Sequence, residues 1–552
     1  MNIWNALIPV ISLASILVSL PAVAAKIPLS QDPSRVLYQI YIESFKDSQA
    51  DGKGDLAGLV SKLDYLKNLG ISGLLVMPVF ESDDGMGYIP KDFYAVRSDY
   101  AGKGSPEERE RVLARFIDEA HARGMQVYLD APINHISLQS TWFKNSAGKV
   151  PGFENHFLWA DHPLEGWRIP WEPSSTPKDV WHLNRERNAY FYALFGWGMP
   201  EFNHRNPAVV SLFDDFFEHY AALGVDGFRI DAAKHLIEGD TNTVSFVHDN
   251  IPLLKHYLEA VRTRFPQISF LLEVWSGYDE IEAFPLTSGD VEFDFPYMGS
   301  LRDSLKFNHP YGVRNTLQHF MRAQNTYLPG NRIVFAGNHD VPRLRTLSGN
   351  DAQKSELGLA LTLTLPYVPM IYYGDEIFME GDYIRYPKTP DKNLNEVCMP
   401  MLWTPELNAG FTSPTTQLGA EWNKRIEPDW QEINVQTQAA NSHSYLNAIR
   451  RLIQARLSLN VTNGVRFFVE RNDDSDPVLK TAMVFEDGSC TVGLYNFSTS
   501  RQNARTITYP GVCAAKASRT LVKTRAYQRN PETLDMDPYG YWVGVGQFTL
   551  RH

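Results

Sequence analysis

Four acidic residues stand where short apolar runs give way to polar ones. Asp130 opens Asp130-Ala131-Pro132-Ile133-Asn134-His135, and Asp231 closes the run Gly227-Phe228-Arg229-Ile230-Asp231 before Ala232-Ala233-Lys234-His235. Glu273 sits in Leu271-Leu272-Glu273-Val274-Trp275, and Asp340 follows Phe335-Ala336-Gly337-Asn338-His339. A single carboxylate at the end of an apolar strand is ordinarily a helix cap. Four of them, three with Arg or His close by, are hard to explain as caps. At the C-terminal strand ends of a barrel such residues read as catalytic. Two carboxyls held in opposite protonation states are what paired acid/base or nucleophilic chemistry requires.

The elements that must position these residues alternate in kind. Apolar runs at Val36–Ile42, Ser72–Val79, Met125–Ala131, Asp226–Asp231, Ile268–Trp275, Val291–Phe295, Arg332–Asn338 and Met370–Gly374 are bounded as buried parallel strands should be. Between them lie helix-period segments such as Leu56–Leu69, Glu107–Arg123, Ala208–Leu223, Leu253–Phe265 and Gln353–Leu363. This alternation predicts an α/β fold, a (β/α)8 TIM barrel. A doubly wound open sheet fits less well, because no Gly-rich phosphate loop follows the first strand. After the third strand, residues 136–203 break the rhythm and hold Trp142, Trp159, Trp167, Trp171, Trp181 and Trp197, six of the twelve tryptophans. So long an interruption predicts an inserted subdomain. Its rings could form a core of their own or offer flat faces to pyranose rings, and both readings stay open. From about 463 onward, alternating strands (Val465–Val469, Lys480–Phe485, Thr491–Phe497, Tyr541–Leu550) predict a C-terminal antiparallel β-sandwich. The expected division is therefore a barrel over 26–135 and 204–462, the insertion at 136–203, and the β domain at 463–552.

These four segments, in this order, resemble the motifs of the α-amylase superfamily, glycoside hydrolase family 13. The resemblance covers nearly the whole chain after its N-terminal segment, and it implies the same barrel, insertion and β tail. It also implies that Asp231 is the nucleophile, Glu273 the general acid/base and Asp340 a stabiliser of the transition state. Arg229, His135, Asn338 and His339, with Asp130, look like the residues that hold those carboxylates and the sugar hydroxyls. Tyr88, in Gly87-Tyr88-Ile89-Pro90, resembles the tyrosine that stacks on the cleaved sugar, and Lys234-His235 resemble a pair that meets the leaving-group sugars. The chemistry suits these types. Arg229, two residues before Asp231 on one strand face, can keep the nucleophile ionised. Like charge nearby should raise the Glu273 pKa, as an acid working near neutral pH requires.

A second motif follows the first strand: Asp47-Ser48-Gln49-Ala50-Asp51-Gly52-Lys53-Gly54-Asp55. Oxygen donors at alternating positions around a Gly read as a calcium loop, with a plain polar turn as the alternative. Gly58 stands where an EF-hand needs Glu, so it is not one. The loop resembles that of the superfamily's oligosaccharide-cleaving α-glucosidases. Its ligands would be Asp47, Gln49, Asp51, Asp55 and, through its carbonyl, Lys53.

The N-terminus carries an apolar stretch, Val10 to Leu20, followed by Pro21-Ala22-Val23-Ala24-Ala25. We read residues 1–25 as a signal peptide, which predicts a secreted or periplasmic protein with no stable membrane anchor. A net charge of −12 with no long basic run argues against a nucleic-acid partner. Three cysteines form neither a disulfide framework nor a zinc site; Cys490 and Cys513 either pair or remain buried thiols.

Finer motifs point in several directions. Met399-Pro400-Met401-Leu402-Trp403, Asn408-Ala409-Gly410-Phe411 and Ile433 to Gln438 resemble the α-glucosidase and trehalose-synthase branch, whereas Met199-Pro200-Glu201-Phe202-Asn203 resembles the neopullulanase branch. The mixture matches the superfamily's intermediary α-amylases. Ala232 after the nucleophile resembles the α-1,4-acting members. Exo-acting α-glucosidases clamp a terminal sugar with an Asp three residues before the stacking tyrosine and an Arg two before the Pro of the Pro-Met motif. Gly85 and Cys398 occupy those positions here. The expectation is a retaining hydrolase of α-1,4-glucans, endo-acting or mixed. The alternatives are an exo-acting α-glucosidase, a transglycosylase or trehalose-synthase-like isomerase, and a non-enzymatic membrane partner subunit, which would be free to lose its carboxylates.

Overall fold

The computed structural model describes residues 27–240, 247–284, 290–382, 396–416, 426–470, 475–505, 513–530 and 533–547. The segment read as a signal peptide lies outside them. Eight parallel strands close a barrel: β1 (Leu37–Ile40), β2 (Gly73–Val76), β3 (Gln126–Ala131), β4 (Gly227–Ile230), β5 (Ser269–Leu272), β6 (Val291–Phe293), β7 (Arg332–Phe335) and β8 (Val368–Tyr372). Each pairs with its neighbours in chain order, and β8 closes on β1 with Leu37 opposite Met370. All eight coincide with the expected apolar runs, except that β6 stops at Phe293 and Phe295 already begins a helix.

The strands are apolar throughout because both faces are covered. Leu37, Leu75, Tyr128, Leu271, Val291, Ile333, Phe335 and Met370 fill the barrel, while Leu74, Val127, Leu129, Phe228, Phe270 and Val334 pack under the helices. Gly227 is dictated by the closeness of β4 and β5, since a Cβ there would stand 2.2 Å from the Ser269 carbonyl oxygen.

Helices α1 (Leu56–Leu69), α2 (Pro106–His121), α3 (Pro207–Leu223), α4 (Val247–Arg262), α5 (Phe295–Phe307), α6 (Tyr311–Ala323), α7 (Ala352–Thr364) and α8 (Tyr445–Leu457) form the outer layer. Their starts carry local signals: Asp55 caps α1, Ser105 and Glu108 form a capping box on α2, and Asn206 caps α3 ahead of Pro207. Among the described residues, no helix is long and apolar enough to cross a membrane.

Between β3 and α3 the insertion forms a short helix, Thr141–Ala147, and a three-stranded antiparallel sheet of Trp159–Ala160, Trp181–Asn184 and Ala189–Tyr192. Its tryptophans divide. Trp142 and Trp159 pack against the main core, and Trp167 and Trp181 close around Tyr192 in the insertion's own core. Trp171 and Trp197 turn outward.

The C-terminal strands are β9 (Arg466–Val469), β10 (Val478–Val484), β11 (Ser489–Asn496), β12 (Gln502–Arg505), β13 (Ala514–Asn530) and β14 (Thr533–Gln547). They are antiparallel, as expected of this tail, and join into one six-stranded sheet in which β14 is the central strand. Register shifts along the β13–β14 pair let this sheet coil. One face packs on the barrel through Leu479, Met483 and Tyr495; the other buries Val492, Leu494, Met536 and Trp542. A disulfide joins Cys490 to Cys513, and Cys398 is a buried free thiol.

Candidate active site

The four acidic motifs meet at one end of the barrel, and Arg229 is the residue that joins them. It projects from β4 and is buried to 4% side-chain exposure. Its Nη1 donates to Asp130 Oδ1 and Oδ2 at 2.8 and 3.0 Å and to Asp231 Oδ1 at 2.6 Å. Its Nη2 lies 2.9 Å from Glu273 Oε2. One guanidinium therefore bridges three carboxylates from three adjacent strands, the geometry at which Arg is better than Lys.

Glu273 is held twice by the turn that follows Asp231. The Ala232 N–H donates to Glu273 Oε2 at 2.7 Å, and the Ala233 N–H donates to the Glu273 carbonyl at 3.0 Å. Ala232 adopts a left-handed backbone, φ 46° and ψ 44°, which costs a non-glycine residue about 1–3 kcal/mol and is tolerated where a site demands it. The strained residue is thus the one that aims an amide at the Glu273 carboxyl.

Burial raises both central carboxyls. Asp231 is pushed up to about 6, with Asp130 and Asp340 adding to the rise, Arg229 opposing it, and a hydrogen bond to Glu273 also lowering it. Glu273 is pushed higher, to about 7, by burial and by the charges of Asp231 and Asp340, against the pull of Arg229.

Asp130 departs from the expectation that it binds substrate. Its side chain is fully buried, accepting from Arg229 and, at 2.7 Å, from the Tyr88 hydroxyl. It is a positioning residue with no face toward solvent. Tyr88 stacks on His339 at 5.3 Å and 8° between planes, with its hydroxyl 2.9 Å from His339 Nε2. His135 Nε2 donates to the Tyr88 carbonyl at 2.7 Å, and burial lowers the His135 pKa to about 4, so the ring is neutral. Asp340 is held by Asn338, whose Nδ2 donates to Oδ2 at 3.0 Å, and His339 Nε2 lies 3.4 Å from its Oδ1. Lys234 Nζ pairs with Glu280 at 3.5 Å, and His235 pairs with Glu238.

Two supports were not singled out in the sequence. Gln39, on β1, places its Nε2 3.0 Å from His339 Nδ1, and its signal was available: it is a lone polar residue in an apolar strand. Asn134 donates to the His235 carbonyl, tying the β3 loop to the β4 turn, a contact across 101 positions that spacing does not reveal.

The positions of the exo-type clamp hold no charged side chain. The Gly85 carbonyl accepts from Tyr41 Oη at 2.8 Å and Arg97 Nη1 at 2.7 Å. Cys398 is buried with its Sγ 3.5 Å from Tyr372 Oη. Asp84 does not rebuild the clamp, because its Oδ1 accepts from the Gly87 and Ile89 amides at 3.1 and 2.9 Å and from Ser82 Oγ at 2.5 Å.

The loop after β1 stands apart from this cluster. Asp47 accepts from the amides of Gln49, Ala50 and Gly52 and from Thr412 Oγ1; Asp55 accepts from Ser48 and from the Gly58 amide. Asp51 is exposed, with its Oδ1 on the Lys53 amide, while Lys53 Nζ bonds Asp99 at 2.7 Å. Among the described residues, no three acidic, His or Cys side chains gather into a metal cage.

The alpha amylase catalytic-domain model matches residues 39–463. The chain is 29% identical over 458 residues to Alpha-amylase 3 of Dictyoglomus thermophilum, covering 82% of each chain. It is 29% identical over 403 residues to a 4-alpha-glucanotransferase of Thermotoga maritima, covering 71% of this chain and 83% of that one. It is 30% identical over 464 residues to a trehalose synthase/amylase of Mycolicibacterium smegmatis, covering 76% and 75%. The fold matches the alpha-amylase from H. orenii with a TM-score of 0.76 at 24% identity, over 93% of this chain and 99% of that one. With three strand-end carboxylates gathered on one arginine and residues 39–463 matched by the catalytic-domain model, the chain belongs to the alpha-amylase family, glycoside hydrolase family 13, whose enzymes act on α-glucans.

Proposed function

We propose that the protein is a retaining hydrolase of α-1,4-glucans such as starch and maltodextrins, endo-acting or mixed, with Asp231 as nucleophile, Glu273 as acid/base and Asp340 as transition-state stabiliser. The observation that carries the reading is that one guanidinium holds both carboxyls, with Arg229 Nη1 2.6 Å from Asp231 Oδ1 and Nη2 2.9 Å from Glu273 Oε2. Two carboxyls held on one guanidinium suit the roughly 5–5.5 Å separation of retaining enzymes better than the roughly 6.5–9.5 Å across which inverting enzymes hold a water. Asp231 attacks C1 as Glu273 protonates the departing glycosidic oxygen. The covalent glycosyl-enzyme then yields to water, whose proton passes to Glu273 as the bond from C1 to Asp231 breaks.

Gly85 and Cys398 support internal cleavage, because no charged pair at those positions binds a chain end. Binding energy must then come from further along the glucan, so kcat/KM should rise steeply from maltose to longer maltooligosaccharides. Chromatography of early products from soluble starch tests this. Loss of iodine colour well before glucose accumulates is expected, and glucose as the sole early product would overturn it. One observation favours an exo-acting reading: a Cβ at Gly85 would stand 4.0 Å from Glu43 Oε2, itself 3.5 Å from Arg97, so a charged pair lies behind that wall. Single glucose units released from starch would select it.

We also assign calcium to the loop after β1. Its donors are hard oxygens: Asp51 Oδ1 and Asp55 Oδ2 each accept one hydrogen bond and keep a further lone pair for a cation, whereas both Asp47 oxygens and Asp55 Oδ1 accept two and would exchange one of theirs for the ion. Asp47, Asp51 and Asp55 would share the ion with the Gln49 amide and the Lys53 carbonyl, and it would supply stability rather than chemistry. Chelation should lower the melting temperature, and Asp51→Ala should remove that sensitivity. A melting curve unmoved by thorough chelation would leave a hydrogen-bonded turn alone. The protein is assigned to the secreted or periplasmic space, where the Cys490–Cys513 disulfide would persist.

A further inference from the structure

We infer that Gln39 is a positioning residue for the reaction: from inside the barrel it fixes His339 with its ring proton on Nε2, aimed at Asp340. The inference rests on the role proposed above for Asp340 and deepens it by naming the side chain that holds the site from behind.

Gln39 shares a face of β1 with Leu37, and Leu37 lines the barrel, so the Gln39 amide enters the barrel one layer nearer the carboxylates. It is 2% exposed. A polar side chain buried in an apolar strand costs stability unless it is paired, and this one is paired at one end only. Its Nε2 lies 3.0 Å from His339 Nδ1, while its Oε1 is buried with no hydrogen-bond partner among the described residues. An acceptor left unpaired costs about 1–3 kcal/mol. Turning the amide over would only exchange the orphaned oxygen for an orphaned NH₂ group. The amide's own satisfaction therefore does not choose its orientation. The far end of the chain of hydrogen bonds does.

That chain runs from His339 through Tyr88 to Asp130. His339 Nε2 lies 2.9 Å from Tyr88 Oη, and Tyr88 Oη lies 2.7 Å from Asp130 Oδ2. Asp130 is fully buried and needs donors, and the Tyr88 hydroxyl has one proton to give, so that proton goes to Asp130. Tyr88 Oη can then only accept from His339, which places the ring proton on Nε2. Asp340 Oδ1 lies 3.4 Å from the same nitrogen and favours a proton there. Burial lowers the His339 pKa, so the ring carries one proton and Nδ1 is left as a bare acceptor. A buried acceptor needs a donor, and the Gln39 amide supplies it. An acceptor in its place would draw the proton to Nδ1 and turn a lone pair toward Asp340.

Long-range proton–nitrogen spectra of the full enzyme, labelled on its histidines, report which ring nitrogen is protonated; the His339 signals are assigned by their loss in His339→Asn. The wild type should show His339 protonated on Nε2 alone. Gln39→Glu, read on the alkaline side of neutrality where the new carboxyl ionises, should show a proton on Nδ1. On starch, Gln39→Glu and Gln39→Leu should each lower kcat about tenfold, the scale of one hydrogen bond, with KM nearly unchanged, because so buried a side chain meets no sugar. A merely structural residue would lower the melting temperature and leave kcat per folded molecule as it was. A wild-type His339 protonated on Nδ1, a Gln39→Glu spectrum identical to wild type, or kcat per folded molecule unchanged in both variants overturns the inference. Asp340→Asn is the control on the functional reading: if it turns starch over at the wild-type rate, the role proposed for Asp340 fails, and that failure is read independently of the tautomer.

Discussion

Exchanging Asp231 for asparagine, or Glu273 for glutamine, should lower starch turnover by about 10²–10⁴-fold or more while leaving the melting temperature at or above that of the wild type. The activity half follows from chemistry: an amide neither attacks C1 nor donates a proton of the right acidity. The stability half follows from the crowding around Arg229. Asp231 and Glu273 have folded-state pKa values of about 6 and about 7, above their ordinary range, chiefly through burial. An acid whose pKa is raised by folding ionises more readily when unfolded, so each carboxylate's cost to stability builds as pH rises from its ordinary pKa of about 4 to the folded value of about 6 or about 7 and stays at its full size above that. A neutral isostere removes that cost. The same values set the pH profile. Turnover should climb through about 6 as Asp231 loses its proton and fall through about 7 as Glu273 loses the one it must give. With α-glucosyl fluoride, whose leaving group needs no proton, Glu273→Gln should recover glycosyl-enzyme formation but Asp231→Asn should not. Proton NMR of fresh hydrolysate should show the α-anomer, because two inversions restore the configuration. Near-native turnover in either variant, or the β-anomer appearing first, would overturn the assignment of roles.

The barrel was legible because its strands are buried on both faces. Runs such as Gly73-Leu74-Leu75-Val76 and Ser269-Phe270-Leu271-Leu272 are apolar without alternation and bounded by polar turns, so they stand out in one dimension. The strand-end carboxylates that gather at the barrel mouth were legible for a related reason, since a strand end is where an apolar run stops and a side chain can meet the cleft. What escaped the sequence is what depends on closure. Asp130 sits at a strand end like Asp231, yet the fold presses it under Arg229 and Tyr88, and nothing in its local run distinguishes the two. Trp171 and Trp181 are ten positions apart in the same insertion, but one faces solvent and the other is 3% exposed. That difference is made by the three-stranded sheet, which takes Trp181 as a strand residue and leaves Trp171 in a turn.

Arg229→Met should be the most damaging single exchange at the site, because it acts on fold and chemistry together. Asp130 is fully buried and takes its charge-assisted hydrogen bonds from this guanidinium. Removing one member of a buried ion pair leaves the other uncompensated, at a cost of about 3–5 kcal/mol. Arg229 is also the group that lowers Asp130, Asp231 and Glu273 against their burial. Without it all three carboxyls should hold their protons to higher pH. The acid limb of the pH–rate profile should move up past neutrality, into the region where the acid/base must still be protonated, and little enzyme would then be in the productive state at any pH. Arg229→Lys separates the two effects. It keeps a positive charge and so part of the stability, but a point charge cannot reach Asp130, Asp231 and Glu273 in one planar fork. Its profile should shift in the same direction by less, with turnover still strongly reduced. Asp130→Asn is the counterpart, since it removes a like charge beside Asp231 and should move the acid limb down instead. Chemical denaturation and pH–rate profiles of the three variants, measured side by side, decide the matter. If Arg229→Met keeps wild-type stability and its acid limb does not move, then the arginine bridge is not what keeps the nucleophile ionised.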